Sequence, residues 1–319
     1  MTPSLNICLL SSLGAALVTA LMLPLWRTWC RRIGLVDDPG HRKIHEQPTP
    51  LAGGLAIFTG LLLTLFAAWA IPNFINAETS RQLTQQSTTL TVILIGAAAM
   101  TLLGLLDDKF ELRPIIKFTG QLLIAVIVTA AGVRLSLLVA HPLLNHALTI
   151  LWILTVTNAF NFMDNMNGLC AGLGVIAAVF IGSIAVLHSQ FPIAMLAFAM
   201  GGAALGFLPG NYPRATIFLG DAGSHLIGFL LAVLTIQPDL WTSAHPTAAL
   251  GFGPILLLAV PLLDLISVIL IRTRMGKPFY TGDNNHLSHR LVRRGFSRTA
   301  AVALIWTLSI LCGSVAFLL

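Results

Sequence analysis

The sequence predicts an all-α polytopic membrane protein, and three observations lead there. Of its 319 residues, 56% are hydrophobic and only 9% are charged, whereas an ordinary soluble domain carries about 25% charged residues. Apolar runs of about twenty residues recur along the chain, each long enough as a helix to cross roughly 30 Å of hydrocarbon. The polar residues between them form short connections, with no inserted soluble domain and no fixed-period repeat. A soluble enzyme with one large core is excluded. A single membrane domain, 1–319, is expected.

The apolar runs place about ten spans: near Leu5–Trp26, Leu51–Ile71, Thr89–Leu106, Ile115–Val133, His146–Met163, Gly168–His188, Pro192–Gly210, Ala222–Gln237, Leu250–Ile271 and Thr299–Leu319. The longest polar connections are Arg27–Pro50, Pro72–Thr88 and Arg272–Arg298. The first run has no Lys or Arg before it and a basic cluster after it, the wrong order for a cleaved signal peptide. It reads as a retained helix whose N-terminus is outside.

On that topology, only Arg81 and Arg134 of the 18 Lys and Arg residues fall on the outer side. This positive-inside asymmetry makes the loaded face cytoplasmic and leaves both termini outside. The net charge of +6 is thus concentrated where anionic headgroups or anionic substrates are met, and no nucleic-acid partner is expected. Asp37, Asp38, Glu46, Asp107, Asp108, Glu111, Asp164, Asp221 and Asp283 lie on the same face. Topology does not require carboxylates there; metal binding amid phosphate-binding cations is one cause that does. Cys8, Cys30, Cys170 and Cys312 stand alone with no C-x-x-C pair, so they read as buried helix thiols and not as a disulfide framework or zinc site.

Five stretches on this face carry polar chemistry. In "TVTNAFNFMDNMNGLCAGL", Asn158, Asn161, Asp164 and Asn167 recur at every third position between apolar runs. "LLGLLDDKFELRPIIKFTGQ" puts Asp107 and Asp108 at the end of a span, with Lys117 and Gln121 on one face of the next. A solvated turn would explain it equally well. In "ATIFLGDAGSH", Asp221 stands between glycines at a helix start, either as an N-cap or where phosphate or metal approaches the backbone. "GDNNHLSHRLVRRGFSR" gathers His286, His289, Arg290 and Arg293 near one face if helical. Lipid headgroups would suit such a loop, but Arg forks and imidazoles also suit a diphosphate. "GLVDDPGHRKIHEQPTPLAGG" carries Arg42, Lys43 and His45. Asp264 lies about 12 Å below Arg272 at 1.5 Å per residue, where an unpaired carboxylate costs roughly 3 kcal/mol; its partner is not evident.

Taken in order, these motifs closely resemble the polyprenyl-phosphate N-acetylhexosamine-1-phosphate transferases: R-K-x-H…P-T-P…G-G, D-D, N-A-x-N-x-x-D-x-x-(D/N)-G, F-x-G-D-x-G-S and the His/Arg loop. The resemblance spans nearly the whole chain. It implies transfer of a sugar-1-phosphate from a UDP-N-acetylhexosamine to a polyprenyl phosphate in a bacterial inner membrane. UMP is released and Mg²⁺ is required, with Mn²⁺ as a substitute. Asp221 and Asn161 correspond to the family's metal ligands. Lys117 and Arg290 are expected on the diphosphate, with His286 and His289 beside it and Arg298 outside it. Phe218 and Asn167 are expected at uracil, and Asp107 and Asp108 at the lipid phosphate or its attack. Asp164 joins the catalytic carboxylates; Lys43, His45 and Gly168 join the substrate-binding residues. The first loop looks like the UDP-N-acetylglucosamine branch, whereas the UDP-N-acetylmuramoyl-pentapeptide branch has three consecutive histidines where this chain has His286-Leu287-Ser288-His289-Arg290. Two stretches depart from the bacterial pattern: Asp164-Asn165-Met166-Asn167-Gly168 stands where D-G-x-D-G is frequent, and Ser288 where His is frequent. A homodimer is left open. The rival class, a transporter, would place its polar groups near the midplane, often with inverted repeats.

Overall fold

A computed structural model describes residues 3–37, 48–70, 77–135, 141–237, 249–278, 280 and 282–318. Among them are thirteen helices and one two-stranded ribbon. Seven helices are long and apolar enough to cross a membrane: α1 (Pro3–Arg32), α2 (Gly53–Ala70), α4 (Ser87–Phe110), α6 (Pro142–Met163), α7 (Leu169–Leu187), α8 (Phe191–Asn211) and α13 (Arg298–Leu318). Two more apolar helices, α5 (Pro114–Ala130) and α9 (Gly220–Thr235), are shorter. The expected ninth span is two pieces, α10 (Ala249–Leu257) and α11 (Ala259–Arg274), which part at Leu258 between Pro254 and Pro261. Proline removes a backbone donor and clashes with the preceding turn, so a break there follows. Two amphipathic or polar helices, α3 (Ala77–Gln85) and α12 (Leu287–Arg293), occupy connections that the apolar runs left unassigned.

α9 lies at the centre. Every residue from Ala222 to Thr235 is buried, and the helix packs against α2, α4, α6, α7 and α8. A helix apolar on all sides belongs inside a bundle. Close approach at its N-terminal end depends on glycines from two neighbours. A Cβ on Gly54 would stand 2.3 Å from the Gly223 nitrogen, and one on Gly104 would stand 2.4 Å from the Asp221 carbonyl carbon. Small residues of this kind let membrane helices meet backbone to backbone.

The ribbon anchors the same end. β1 (Val36–Asp37) pairs antiparallel with β2 (Thr49–Pro50), Val36 opposite Pro50 and Asp37 opposite Thr49. The chain then bridges to the segment before α9. Phe218 N–H donates to the Pro50 carbonyl at 2.9 Å, while Gly53 and Gly54 donate to the carbonyls of Phe218 and Leu219 at 3.0 Å each. The first free N–H groups of α2 are thereby satisfied by the approach to α9.

Gly54→Ala should therefore prevent stable folding or cost about 3 kcal/mol, the upper range for overpacking. Gly282→Ala should be silent, since nothing lies within 4 Å of its Cβ position. Midpoints of thermal unfolding in detergent compare the two; equal midpoints would refute the backbone contact.

Candidate active site

Four helices meet at one ion cluster. Lys117, in the first turn of α5, places Nζ 2.7 Å from Asp107 Oδ2 at the end of α4 and in direct contact with Asp221 Oδ2 at the start of α9. Asn161 of α6 completes it: its Nδ2 donates to Asp221 Oδ1 at 2.6 Å and to Ser224 Oγ at 3.0 Å, and its Oδ1 lies 3.3 Å from Lys117 Nζ. Asp107 Oδ1 also accepts the Leu112 N–H at 2.8 Å, closing the turn into α5.

Asp221 is not a helix cap. That role belongs to Asp108, which accepts the N–H groups of Asp221 at 2.8 Å and Ala222 at 3.1 Å from across the bundle. The helix N-terminus that the sequence offered to a phosphate is already occupied by this carboxylate, which suits the dipole. Gly220 permits it: φ is +73°, and a Cβ would lie 2.6 Å from Asp108 Oδ2. One turn deeper, Gln121 Oε1 accepts from Asn158 Nδ2 at 2.7 Å and Gln121 Nε2 donates to His225 Nε2 at 3.1 Å, all within the bundle.

Above the cluster opens a cleft of about 700 Å³. Asp37, Asp108, Asp164, Asn167, Phe218, Asp221 and His289 line it, together with Asn165, Arg214 and Arg298. Burial, then the negative charges of Asp221 and Asp108, pushes the Asp164 carboxyl well above the usual carboxylate range. Burial and the neighbouring His286, Arg293 and Arg298 hold the His289 imidazole below its ordinary value. Asn167 Nδ2 donates to the Pro213 carbonyl at 3.2 Å. Gly168 shapes the wall and does not line it: φ is +76°, its N–H donates to Asn211 Oδ1 at 2.5 Å, and a Cβ would strike the Tyr212 side chain at 2.7 Å.

A second ionic joint carries α12. Asp264, 2% exposed, accepts His286 Nδ1 at 2.8 Å and the Leu287 N–H at 2.5 Å. These are the partners the sequence could not supply. Arg272, equally buried, donates twice to Asp283 (3.1 and 3.2 Å) and stands 5.0 Å over the Phe162 ring. Burial would raise the Asp283 carboxyl, yet Arg272 and Asn285 hold it at about 2. His286 packs edge-on to Phe162, 5.4 Å between centroids, and is not part of the cleft lining.

The predicted residues thus divide. Asp107, Asp108, Lys117, Asn161 and Asp221 form the cluster, and Asp164, Asn167, Phe218 and His289 stand on the cleft with Asp108 and Asp221. Arg290 turns away: its Nη2 donates to Ser267 Oγ on α11 at 3.0 Å. Lys43 and His45 lie outside the described residues. The sequence reading missed Asn211 and Arg214 and put Arg298 outside the site, whereas it lines the cleft. The Asn-Tyr-Pro-Arg run just before F-x-G-D was the available signal for the first two.

Comparison with known proteins shows the family. A family profile described as glycosyl transferase family 4 matches residues 90–239. Over 328 residues, the chain is 35% identical to decaprenyl-phosphate N-acetylglucosaminephosphotransferase of Mycobacterium tuberculosis (strain CDC 1551 / Oshkosh), covering 93% of this chain and 78% of the relative. The chain belongs to glycosyl transferase family 4. Its counterpart in Mycobacterium leprae (strain TN) is 34% identical, with 93% and 80% covered. Undecaprenyl-phosphate alpha-N-acetylglucosaminyl 1-phosphate transferase of Escherichia coli (strain K12) is 29% identical, with 95% and 81% covered. As a family 4 member it is a multi-pass membrane protein. The matched segment 90–239 carries the whole ion cluster, whereas His289 and Arg298 come from beyond it.

Proposed function

We propose that this chain transfers N-acetylglucosamine-1-phosphate from UDP-N-acetylglucosamine to a polyprenyl phosphate, giving a polyprenyl-diphosphate sugar and UMP. The observation that carries the reading is the cleft lined by Asp108 and Asp221, with Lys117 paired to Asp221 and Asp107 behind it, in a chain whose relatives bear the names above. Two polyanions must be brought together for this reaction. Catalysis of phosphoryl transfer is largely positioning and charge stabilisation.

In the reaction, an oxygen of the lipid phosphate forms a bond to the sugar-bearing phosphorus, and that phosphorus parts from the oxygen it shares with UMP. A phosphomonoester with a second pKa of about 6 is mostly a dianion at neutral pH, so direct attack needs no strong base. Asp107 and Asp108 orient the lipid phosphate beside Lys117. Phe218 and Asn167 face uracil, one by stacking and one by hydrogen bonds. Arg298 and His289, on the opposite wall, are the cleft's donors to the diphosphate, and Arg290 supports α12 from behind.

A divalent cation suits these residues. Four carboxylates (Asp37, Asp108, Asp164 and Asp221) line one cleft, and burial together with the charges of the other three raises the proton affinity of Asp164. Among the described residues no group of three His, Cys, Asp or Glu forms a ready cage. Mg²⁺ rarely needs one, since it takes one or two carboxylates and fills its shell with water and phosphate oxygens. Asp221 and Asn161 would hold it, with Asp164 near. When bound, it would offset the charge of the diphosphate.

The orientation proposed is the cleft on the cytoplasmic face and both termini outside. It rests on the basic residues, since Arg81 and Arg134 are the only two of 18 on the other side. Thiol labelling of Arg81→Cys and Arg290→Cys should reach them from opposite sides of intact vesicles; same-side labelling would refute the topology. Transport is the weaker reading, because the polar clusters collect at one end and α9 is apolar from Leu226 to Thr235 apart from its terminal Thr.

Purified protein supplied with both substrates and Mg²⁺ should release UMP, and omission of either substrate should abolish it. Asp221→Asn should lower turnover at least about 10²-fold, the scale of one lost transition-state stabiliser. No UMP from well-folded protein would refute the reading, and normal turnover of Asp221→Asn would remove that residue from the site.

Arg298→Ala should cost turnover on the order of 10-fold or more, as loss of a charged hydrogen bond does, with unfolding unchanged. Arg290→Ala should lower the unfolding midpoint and leave turnover of the folded protein within about threefold, because its partner is the Ser267 hydroxyl. The opposite pattern would return the diphosphate to Arg290.

A further inference from the structure

Asn165 and Ser288 lie 123 residues apart in sequence and touch in space: Ser288 Oγ donates to Asn165 Oδ1. Asn165 sits in the turn after α6, and its amide is already oriented, because Nδ2 donates to the Phe162 carbonyl at 2.5 Å. That leaves Oδ1 facing α12. Ser288 is 0% exposed, so its hydroxyl has no water to fall back on.

The consequence is geometric. The turn after α6 supplies Asp164, Asn165 and Asn167 to one wall of the cleft, and α12 supplies His289 and Val292 to the other. His289 is the residue next to Ser288, so a hydrogen bond at Ser288 fixes the seven-residue α12 at its cleft end. Asp264 holds the same end through His286 and Leu287, and Arg290 reaches Ser267 further along. Helix α12 is too short to keep its place by backbone bonds alone.

We infer that Asn165 and Ser288 form a latch between the two walls that positions His289 against the nucleotide. The inference rests on the transferase reading for the identity of the ligand. The joint is filled from the Asn165 side, and the buried Ser288 opposite it is correspondingly small. Both are positioning residues.

Two measurements on the full chain test this. The first is hydrogen exchange across α12 in Ser288→Ala, Asn165→Ala and the double variant. Each single change should speed exchange about tenfold, near the upper scale of one net hydrogen bond, and the double should be no faster than either. Multiplying effects, or exchange unchanged in the singles, would overturn the latch. The second is calorimetric binding of UMP. Ser288→His alone should weaken it at least about tenfold by overpacking, and Asn165→Gly added to it should restore binding to within about threefold. A double variant no better than Ser288→His would overturn the coupling. If wild-type chain binds no UMP while exchange still shows coupling, the latch stands and the nucleotide assignment falls.

Discussion

Lys117 is held between Asp107 and Asp221, and the rest of the site is arranged around that contact. Four helices contribute to it, and each brings a group that another must neutralise or hydrogen-bond. At the edge of an apolar bundle such a cluster is costly to break, because removing one member leaves an uncompensated buried charge. It therefore fixes α4, α5, α6 and α9 relative to one another. Asp108 adds the same constraint through the backbone, since its two hydrogen bonds tie the end of α4 to the start of α9.

Such charges can be brought together only if the backbones come close, and the small residues provide that. Gly54 and Gly104 admit α2 and α4 to within contact of the α9 backbone. The ribbon then hangs Phe218 from the start of α2, so one aromatic wall of the cleft is tied in by main-chain hydrogen bonds. Precision at the ion cluster and precision at the aromatic wall have a common origin in the packing of the α9 N-terminus.

The other wall is built differently. α12 and the start of α13 rest on side-chain joints: Asp264 with His286, Arg272 with Asp283, and Ser288 with Asn165. Asp264 is a deep carboxylate that would be expensive in isolation. Paired with an imidazole and a free helix N–H, it becomes a fixing point for a short helix. This wall is held by a few polar contacts, and the wall opposite by a packed core.

Much of this could be read from the residues. Apolar run length fixed the helical membrane class, because hydrocarbon demands internally bonded backbone, and the basic count gave one busy face. Asp107, Asp108, Lys117, Asn161 and Asp221 were named from motif order, and they do meet. The seven long helices lie where the apolar runs predicted, but α12 could be read only conditionally, since seven residues with Leu287 and Leu291 four apart are too short a pattern to settle a helix. Arg290 was expected on the diphosphate and Arg298 outside it, yet their rotation about α12 and α13 sends the first to Ser267 and the second to the cleft. The partner of Asp264 lay 22 residues away, across a turn no local pattern describes. Local composition thus determined which groups stand at the membrane edge, because the cost of burying polar atoms in hydrocarbon acts on each residue separately. Which of those groups pair, and which remain free to face a substrate, was decided by tertiary packing, because pairing depends on distances between helices that sequence spacing does not contain.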